Sequence, residues 1–353
     1  MLAKRNLGQL SEDKMSVSFE DKVSFLCAPE SYRERTQVVS LLQTHHAWLF
    51  MTERHVYKMK KPFRQGGLDY SSLESRRWLC TEEYRLNRRL AKNTYLGVVP
   101  LKVDDNGRLN FDAEGCIVEW LVKIVRLPES QMLLVAASEG RVEPADIQKL
   151  MHKLLRFYKN ASICHFGSGG YVARLRQKQA KWTQELLRPE FGLPKALANE
   201  TSELLRSYVD EHARLFEQRE RDGHIREGHG DLRPEHVFLI ENAEPEIIDC
   251  LEFDADLRRL DSAEELAFLA MECRHADLGW LEHACFECYE INFGVAAVPN
   301  HLWKYYAALG AMVRAGLSAW RMLDSAGGET WKRRAIDYLH DVRHYITAAH
   351  AGC

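Results

Sequence analysis

The sequence predicts an α+β protein in which a small strand-rich part precedes a larger helical one. Short alternating apolar and polar runs, with one Asn-Gly turn, fill the first ~125 residues. From about residue 129 the apolar positions recur at helical spacing instead. One compact β-like stretch, residues 236–250, interrupts the helices. Strands gathered at one end and helices at the other favour an α+β arrangement over repeated β-α units. We divide the chain at residue 124, into a first lobe of residues 1–124 and a second of residues 125–353.

Taken in order, residues 38–42 and 47–51 are β-prone runs separated by Gln43-Thr44-His45-His46. Residues 55–60 form a third run, after the polar break Thr52-Glu53-Arg54. Residues 72–91 read as a helix, because Leu79, Leu86 and Leu90 fall on one face. Glu83 lies on that same stripe, where a lone carboxylate is costly to bury, so it must be paired or functional. Asn106-Gly107 predicts a hairpin over residues 101–111, and residues 116–122 form a further strand. Helices are expected over residues 144–160, 171–187, 196–221, 262–274 and 301–323.

Composition excludes several classes. The chain has 353 residues, 46% hydrophobic and 28% charged, with a formal net charge of −3, so it can bury a core and is not globally polybasic. Its longest apolar runs are far below the ~18 residues of a membrane span. The first 22 residues lack an apolar segment, so no secretory leader is expected. Nine scattered cysteines then read as reduced thiols of a cytoplasmic protein. Cys273, His275, His283, Cys285 and Cys288 are zinc-type ligands, but their helical setting favours thiols on helix faces.

The chemistry concentrates in GHGDLRPEHVFLIENAEPEIIDC, residues 228–250. Asp231 follows His229-Gly230, and Asp249 ends the apolar pair Ile247-Ile248. A short hairpin between them brings both carboxylates to one end, which suits a divalent metal plus a proton acceptor.

HGDLRPEH resembles the catalytic loop H-R-D-L-x-x-x-N of protein kinases and the H-G-D form found in the aminoglycoside phosphotransferase family. IIDC resembles that family's metal-binding Asp segment. The resemblance implies a bilobal protein-kinase-like fold that uses ATP with Mg²⁺. By position, it implies that Asp231 orients the acceptor hydroxyl and takes its proton, and that Asp249 ligates Mg²⁺. Arg233 stands where Ser/Thr kinases carry a Lys that meets the γ-phosphate. His236 replaces the Asn that ligates a second metal, and imidazole is a poor partner for hard Mg²⁺. Three readings follow: a weak or absent second metal, use of Mn²⁺, or a loop-holding role, which ranks first. Asp261, Ser262, Glu264 and Glu265 read as helix capping.

Phosphoryl transfer also needs a strand Lys tied to a helix Glu. HVYKMKKP offers Lys58 and Lys60 on one strand face. Val56, two residues before Lys58, supplies the apolar roof that such a site places over adenine, so Lys58 ranks ahead of Lys60, with Glu83 as partner. Thr44 and His46 lie in a turn without the glycines of a kinase nucleotide loop and are its candidate donors. Residues 118–127, with Glu119, are the candidate hinge whose main chain meets the adenine edge. The motif set most resembles a bacterial branch of the phosphotransferase family with THxxW-like and VYKxKKP motifs, over about residues 38–325. Some relatives in that branch carry an added P-loop domain; no G-x-x-x-x-G-K-[ST] occurs in this sequence.

The expected function is transfer of the ATP γ-phosphate to a hydroxyl of a small-molecule acceptor. The alternative is a nucleotide-binding pseudokinase or regulatory module, with a partner protein left open. Nucleic-acid and membrane partners are not expected, although residues 58–64 and 174–181 are locally basic. Arg174, Arg176 and Arg314 are candidates to face an anionic acceptor, with solvated helix faces the commoner explanation.

Overall fold

Alternating apolar residues build an antiparallel sheet between Ser40 and Val125, seen in a computed structural model. It describes residues 17–65, 68–167, 170–293, 298–324 and 327–352. Most of the segment read as lacking a leader, and Cys353, lie outside the described residues. The chain forms two compact units, Met1–Pro128 and Glu129–Cys353.

In the first unit, helix α1 (Phe19–Cys27) starts at a capping box between Ser18 and Asp21. Strands β1 (Ser40–Gln43), β2 (Ala47–Met51) and β3 (His55–Lys60) follow, then the short β4 (Arg64–Gln65) and β5 (Leu68–Asp69). Helix α2 (Leu73–Asn87) is capped by the Ser72 side chain. Strands β6 (Tyr95–Val103), β7 (Leu109–Asn110) and β8 (Cys116–Val125) complete a six-stranded sheet of order β1-β2-β3-β8-β6-β7. Gly107 (φ +77°) provides the left-handed residue of the β6–β7 hairpin. Tyr57 and Met59 point into an apolar cluster with Leu26, Tyr32, Phe50, Leu101 and Leu121. The alternation of β3 therefore sends Val56, Lys58 and Lys60 to its other face.

The second unit is helical: α3 (Leu133–Ser138), α4 (Pro144–Asn160), α5 (Gly170–Leu186), α6 (Lys195–Glu211) and α7 (Ala213–Arg221). The helix expected over residues 196–221 is thus two helices, broken at His212 (φ −110°, ψ 20°). Next come β9 (Ile225–Glu227), the hairpin β10 (Val237–Phe238) and β11 (Glu246–Ile247), the short α8 (Ala255–Arg258), and β12 (Arg259–Asp261). Helices α9 (Ser262–His275), α10 (Gly279–Phe293), α11 (Asn300–Asp324) and α12 (Gly328–Ala351) close the unit. α11 is buried along most of its length, among Trp303, Tyr305 and Tyr306. It approaches α5 closely at Gly316, where a Cβ would stand 2.2 Å from Trp182. Among the described residues no helix is long and apolar enough to cross a membrane.

Candidate active site

The motif loop hangs between two ladders. β9 pairs with β12 from Ile225↔Asp261 to Glu227↔Arg259, and β10 pairs with β11 through Val237↔Ile247. The loop between them is gripped by one carboxylate. Glu265, in the first turn of α9 and almost wholly buried, accepts the backbone N–H groups of His229 (2.9 Å) and Gly230, and the Tyr158 hydroxyl at 2.6 Å. Gly228 lets that carboxylate approach, since a Cβ there would lie 2.6 Å from Glu265 Oε2. Gly230 takes φ +91°, a conformation costly for side chains other than Gly.

Two histidines stitch the loop to the segment carrying Asp249. His229 is fully enclosed; its Nε2 donates to the Ile248 carbonyl at 2.8 Å. That tautomer leaves Nδ1 as the acceptor facing the Asp231 N–H at 3.4 Å. Burial, with His236 beside it, lowers the His229 pKa to about 4, so the ring is neutral. His236 donates from Nδ1 to the Asp231 carbonyl at 2.8 Å, which makes Nε2 an acceptor for Arg233 Nη2 at 3.0 Å. The same ring stands 3.9 Å from Asp231 Oδ2 and 3.6 Å from Asp249 Oδ2. One imidazole therefore spans both carboxylates. Ile248 N–H donates to the His236 carbonyl and Leu251 N–H to that of His229, holding the two segments together. Asp249 adopts φ +64°, a left-handed conformation that Asp tolerates better than most residues, and its side chain is about half exposed.

Arg233 donates Nε to Asp231 and Nη1 to Glu235, both at 3.1 Å. Asp261 is a structural anchor: it caps α9 through the Ala263 N–H and takes Arg219 and the Tyr306 hydroxyl. Burial pushes its carboxyl up, but Arg219 and the backbone bond outweigh this and hold it below the ordinary value.

In the first unit, Glu83 is fully buried and binds both strand lysines, Lys58 through Oε1 at 2.8 Å and Lys60 through Oε2. The expected pair is a triad, with Lys60 the more enclosed lysine and Lys58 the more accessible one. Two ammonium groups thus converge on one carboxylate. Val56 shares their face, partly buried. The Thr44 turn is closed by Thr44 N–H to the Ala47 carbonyl at 2.9 Å and Ala47 N–H to Thr44 Oγ1 at 3.0 Å. His46 stacks on Phe63 at 4.8 Å. Burial first, then His45 and the charges of Lys60, Lys58 and Lys61, lower its pKa to about 4. Neutral His46 thus belongs to the same cationic cluster.

Glu119 lies within β8, and its buried carboxylate is taken by Arg76 Nε (2.8 Å) and Nη2 (2.9 Å) and by Lys22 Nζ (3.0 Å). Its side chain fastens α1 and α2 to the sheet and is not presented to a ligand. Arg174 and Arg176 pair with Asp256 and Asp210 on the surface, whereas Arg314 is buried against Glu272. Cys273 and Cys285 are packed thiols of α9 and α10, and burial raises both pKa values, Cys285 to about 12. His275 and His283 face Asp341 and Glu287.

Sequence reasoning missed the role of Glu265. Its signal was the row of carboxylates opening an otherwise apolar helix, which capping alone accounts for on paper. No described group of three or more His, Cys, Asp or Glu side chains is assembled to hold a metal ion. The donor set at Asp249 and His236 fits a divalent ion only with oxygens added by phosphate, the usual habit of Mg²⁺.

Solved structures share this architecture. A GDP complex of an aminoglycoside 2′-phosphotransferase-IIIa mutant matches with TM-score 0.56 at 13% identity, over 93% of this chain and 99% of that one. A choline/ethanolamine kinase family protein from Mesorhizobium loti matches at 0.52 and 13% identity, over 94% and 99%. Plasmodium vivax ethanolamine kinase matches at 0.52 and 11%, over 99% and 95%. The chain therefore has the protein-kinase-like α+β fold, in the form taken by aminoglycoside phosphotransferases and choline/ethanolamine kinases.

By sequence, it is similar to uncharacterized proteins of Mycobacterium bovis and Mycobacterium tuberculosis, 30% identical over 285 residues. That is 78% of this chain but 54% of each relative, so the chain spans about half the length of the curated relatives it matches. No protein-family profile matches it.

Proposed function

We propose that the chain is an ATP-dependent phosphotransferase acting on a hydroxyl of a small molecule. The observation that carries this reading is the His236 imidazole spanning Asp231 and Asp249, at 3.9 and 3.6 Å. Asp231 accepts the proton of the acceptor hydroxyl. Arg233, already against Asp231, neutralises charge developing on the transferred group. Lys58 and Lys60, oriented by Glu83, bind the remaining phosphates. Asp249 is the first candidate to hold Mg²⁺ or Mn²⁺, with His236 beside it; a bound ion there supplies charge neutralisation of the phosphates. Neighbours of this fold described as complexes with GDP or AMP support nucleotide use.

The test is thermal stabilisation by ATP with Mg²⁺ or Mn²⁺, followed by ADP release over a panel of alcohols. Asp249→Ala should remove the metal-dependent stabilisation. Absence of any ATP effect on the wild type with either ion would sink the reading. A pseudokinase is the second reading, favoured by the hydrogen bond from Arg233 to His236 Nε2, which occupies that nitrogen's lone pair. ATP binding with no ADP release from any alcohol would favour it.

A further inference from the structure

His236 stands where the resembled catalytic loop has an asparagine, whose amide would offer an ion an oxygen. The imidazole offers a nitrogen, and the hydrogen bonds fix which one. Nδ1 donates to the Asp231 carbonyl at 2.8 Å, so Nε2 is left as the acceptor. A ring anchored through one nitrogen to a backbone carbonyl, with the other turned to a charged neighbour, is the arrangement of a metal-ligating histidine. The residue is also held in place. His236 is 7% exposed, its N–H donates to the Arg233 carbonyl, and its own carbonyl takes the Ile248 N–H, both at 2.9 Å.

Nε2 lies 3.6 Å from Asp249 Oδ2. Two donors about 2.1 Å from a shared ion stand at most about 4.2 Å apart, so this spacing closes on one ion. Mg²⁺ prefers oxygen and near-octahedral angles, which set neighbouring donors about 3 Å apart. A transition-metal ion accepts both the imidazole and the wider angle.

One guanidinium now covers this nitrogen. Arg233 donates Nη2 to His236 Nε2 at 3.0 Å while its Nε meets Asp231 and its Nη1 meets Glu235. Nε2 has a single lone pair, so an ion and Arg233 compete for it. An ion that takes the nitrogen frees Nη2 and places positive charge beside the guanidinium, which drives it towards the nearest added anion, the phosphate.

Resting on the phosphotransferase reading, we propose that the ion held by His236 and Asp249 is a transition-metal ion in preference to Mg²⁺, and that its binding displaces Arg233 from His236 and hands the guanidinium to the transferred phosphate. The hydrogen bond that closes the site in the absence of metal is then the one that metal loading breaks. The histidine does two tasks at once, holding the loop through Nδ1 and taking the ion through Nε2.

The test uses the full chain with ADP, which supplies the phosphate oxygens. Electron spin-echo spectroscopy of the Mn²⁺–ADP complex should show coupling of the ion to an imidazole nitrogen, and His236→Asn should abolish it. Thermal stabilisation by ADP is followed against Mn²⁺ and Mg²⁺; the ratio of the two concentrations needed should shift by about tenfold or more towards Mg²⁺ in His236→Asn. Arg233→Met should tighten Mn²⁺ binding by about threefold more when His236 is present than in the His236→Ala background, because only there does it remove a competitor for the nitrogen. A purely electrostatic effect of the arginine would be equal in both. The proposal is overturned if no nitrogen coupling appears, if the coupling survives His236→Asn, if the metal ratio stays the same, or if Arg233→Met acts equally in the two backgrounds. Failure of ADP to stabilise the wild type with either ion sinks the phosphotransferase reading itself, and this proposal with it; equal stabilisation by both ions in wild type and His236→Asn sinks this proposal alone.

Discussion

Glu83→Gln should destabilise the chain by about 3–5 kcal/mol, the cost of removing one partner from a buried ion pair. Glu83 is 0% exposed, and the side chains of Lys60 and Lys58 are 2% and 14% exposed. At 2.8 Å and an effective dielectric of about 20, the Lys58 contact alone has a gross attraction of about 6 kcal/mol. Most of that offsets desolvation, so the intact triad adds little net stability. Its loss is expensive because Lys60 cannot reach water, whereas Lys58 can turn partly outward. An exposed pair would cost only about 0–1 kcal/mol. Urea unfolding followed by tryptophan fluorescence measures the difference, with Trp48 and Trp120 in the same unit as reporters. The double variant Lys60→Met with Glu83→Gln should recover at least half the loss, since the stranded ammonium is gone. A loss below about 1 kcal/mol, or no recovery in the double variant, would refute the reasoning.

Three further outcomes are expected. Asp231→Asn should lower ADP release by about 10²- to 10⁴-fold, the usual worth of a positioned base, and leave ATP-dependent stabilisation unchanged. Gly228→Ala should cost about 1–3 kcal/mol, because its Cβ displaces Glu265 and leaves buried N–H groups unpaired; an unchanged urea midpoint would contradict this. His229 and His46, ordinary near 6.5, fall to about 4 in the fold, so each is neutral there while the unfolded chain takes up a proton. Their contribution is complete above pH 6.5 and is lost as pH falls from 6.5 towards 4. Stability measured at pH 7 and pH 5 should show that fall, and His46→Gln should make it shallower.

Local rules made much of this legible. β2 and β3 fall on the expected residues because alternation and the break at 52–54 leave one register. Glu83 was identifiable because Leu79 and Leu86 fixed the inward face of α2, with Leu90 just beyond its end. The misses are non-local. Helix α12 buries Tyr338, Leu339, Val342, Tyr345 and Ile346 at helical spacing, but charged residues between them mask the stripe. That both lysines meet Glu83, with Lys60 the more enclosed, is something the two-residue repeat cannot distinguish. The ion pairs that bury the Glu119 side chain, to Lys22 and Arg76, were not legible because these partners lie 97 and 43 residues away. Glu265 grips a loop 35 residues before it, and no short motif encodes that reach.

The two departures from kinase-type motifs each involve a histidine. The turn that resembles a kinase phosphate loop, Gln43-Thr44-His45-His46, has no glycine; where the resembled catalytic loop has asparagine, this chain has His236. A cationic imidazole at the first position would add charge beside lysines that already repel one another. At the first, burial and Lys60, Lys58 and Lys61 keep His46 uncharged. At the second, the Nδ1–H bond to the Asp231 carbonyl and the Arg233 donor on Nε2 occupy both ring nitrogens. His46 thus acts as a polar spacer beside the strand lysines. Replacement of the asparagine then changes more than a metal ligand: an ion drawing on His236 Nε2 must displace Arg233 and free its guanidinium. In the proposed site, metal binding at His236 and the orientation of Arg233 would therefore be coupled.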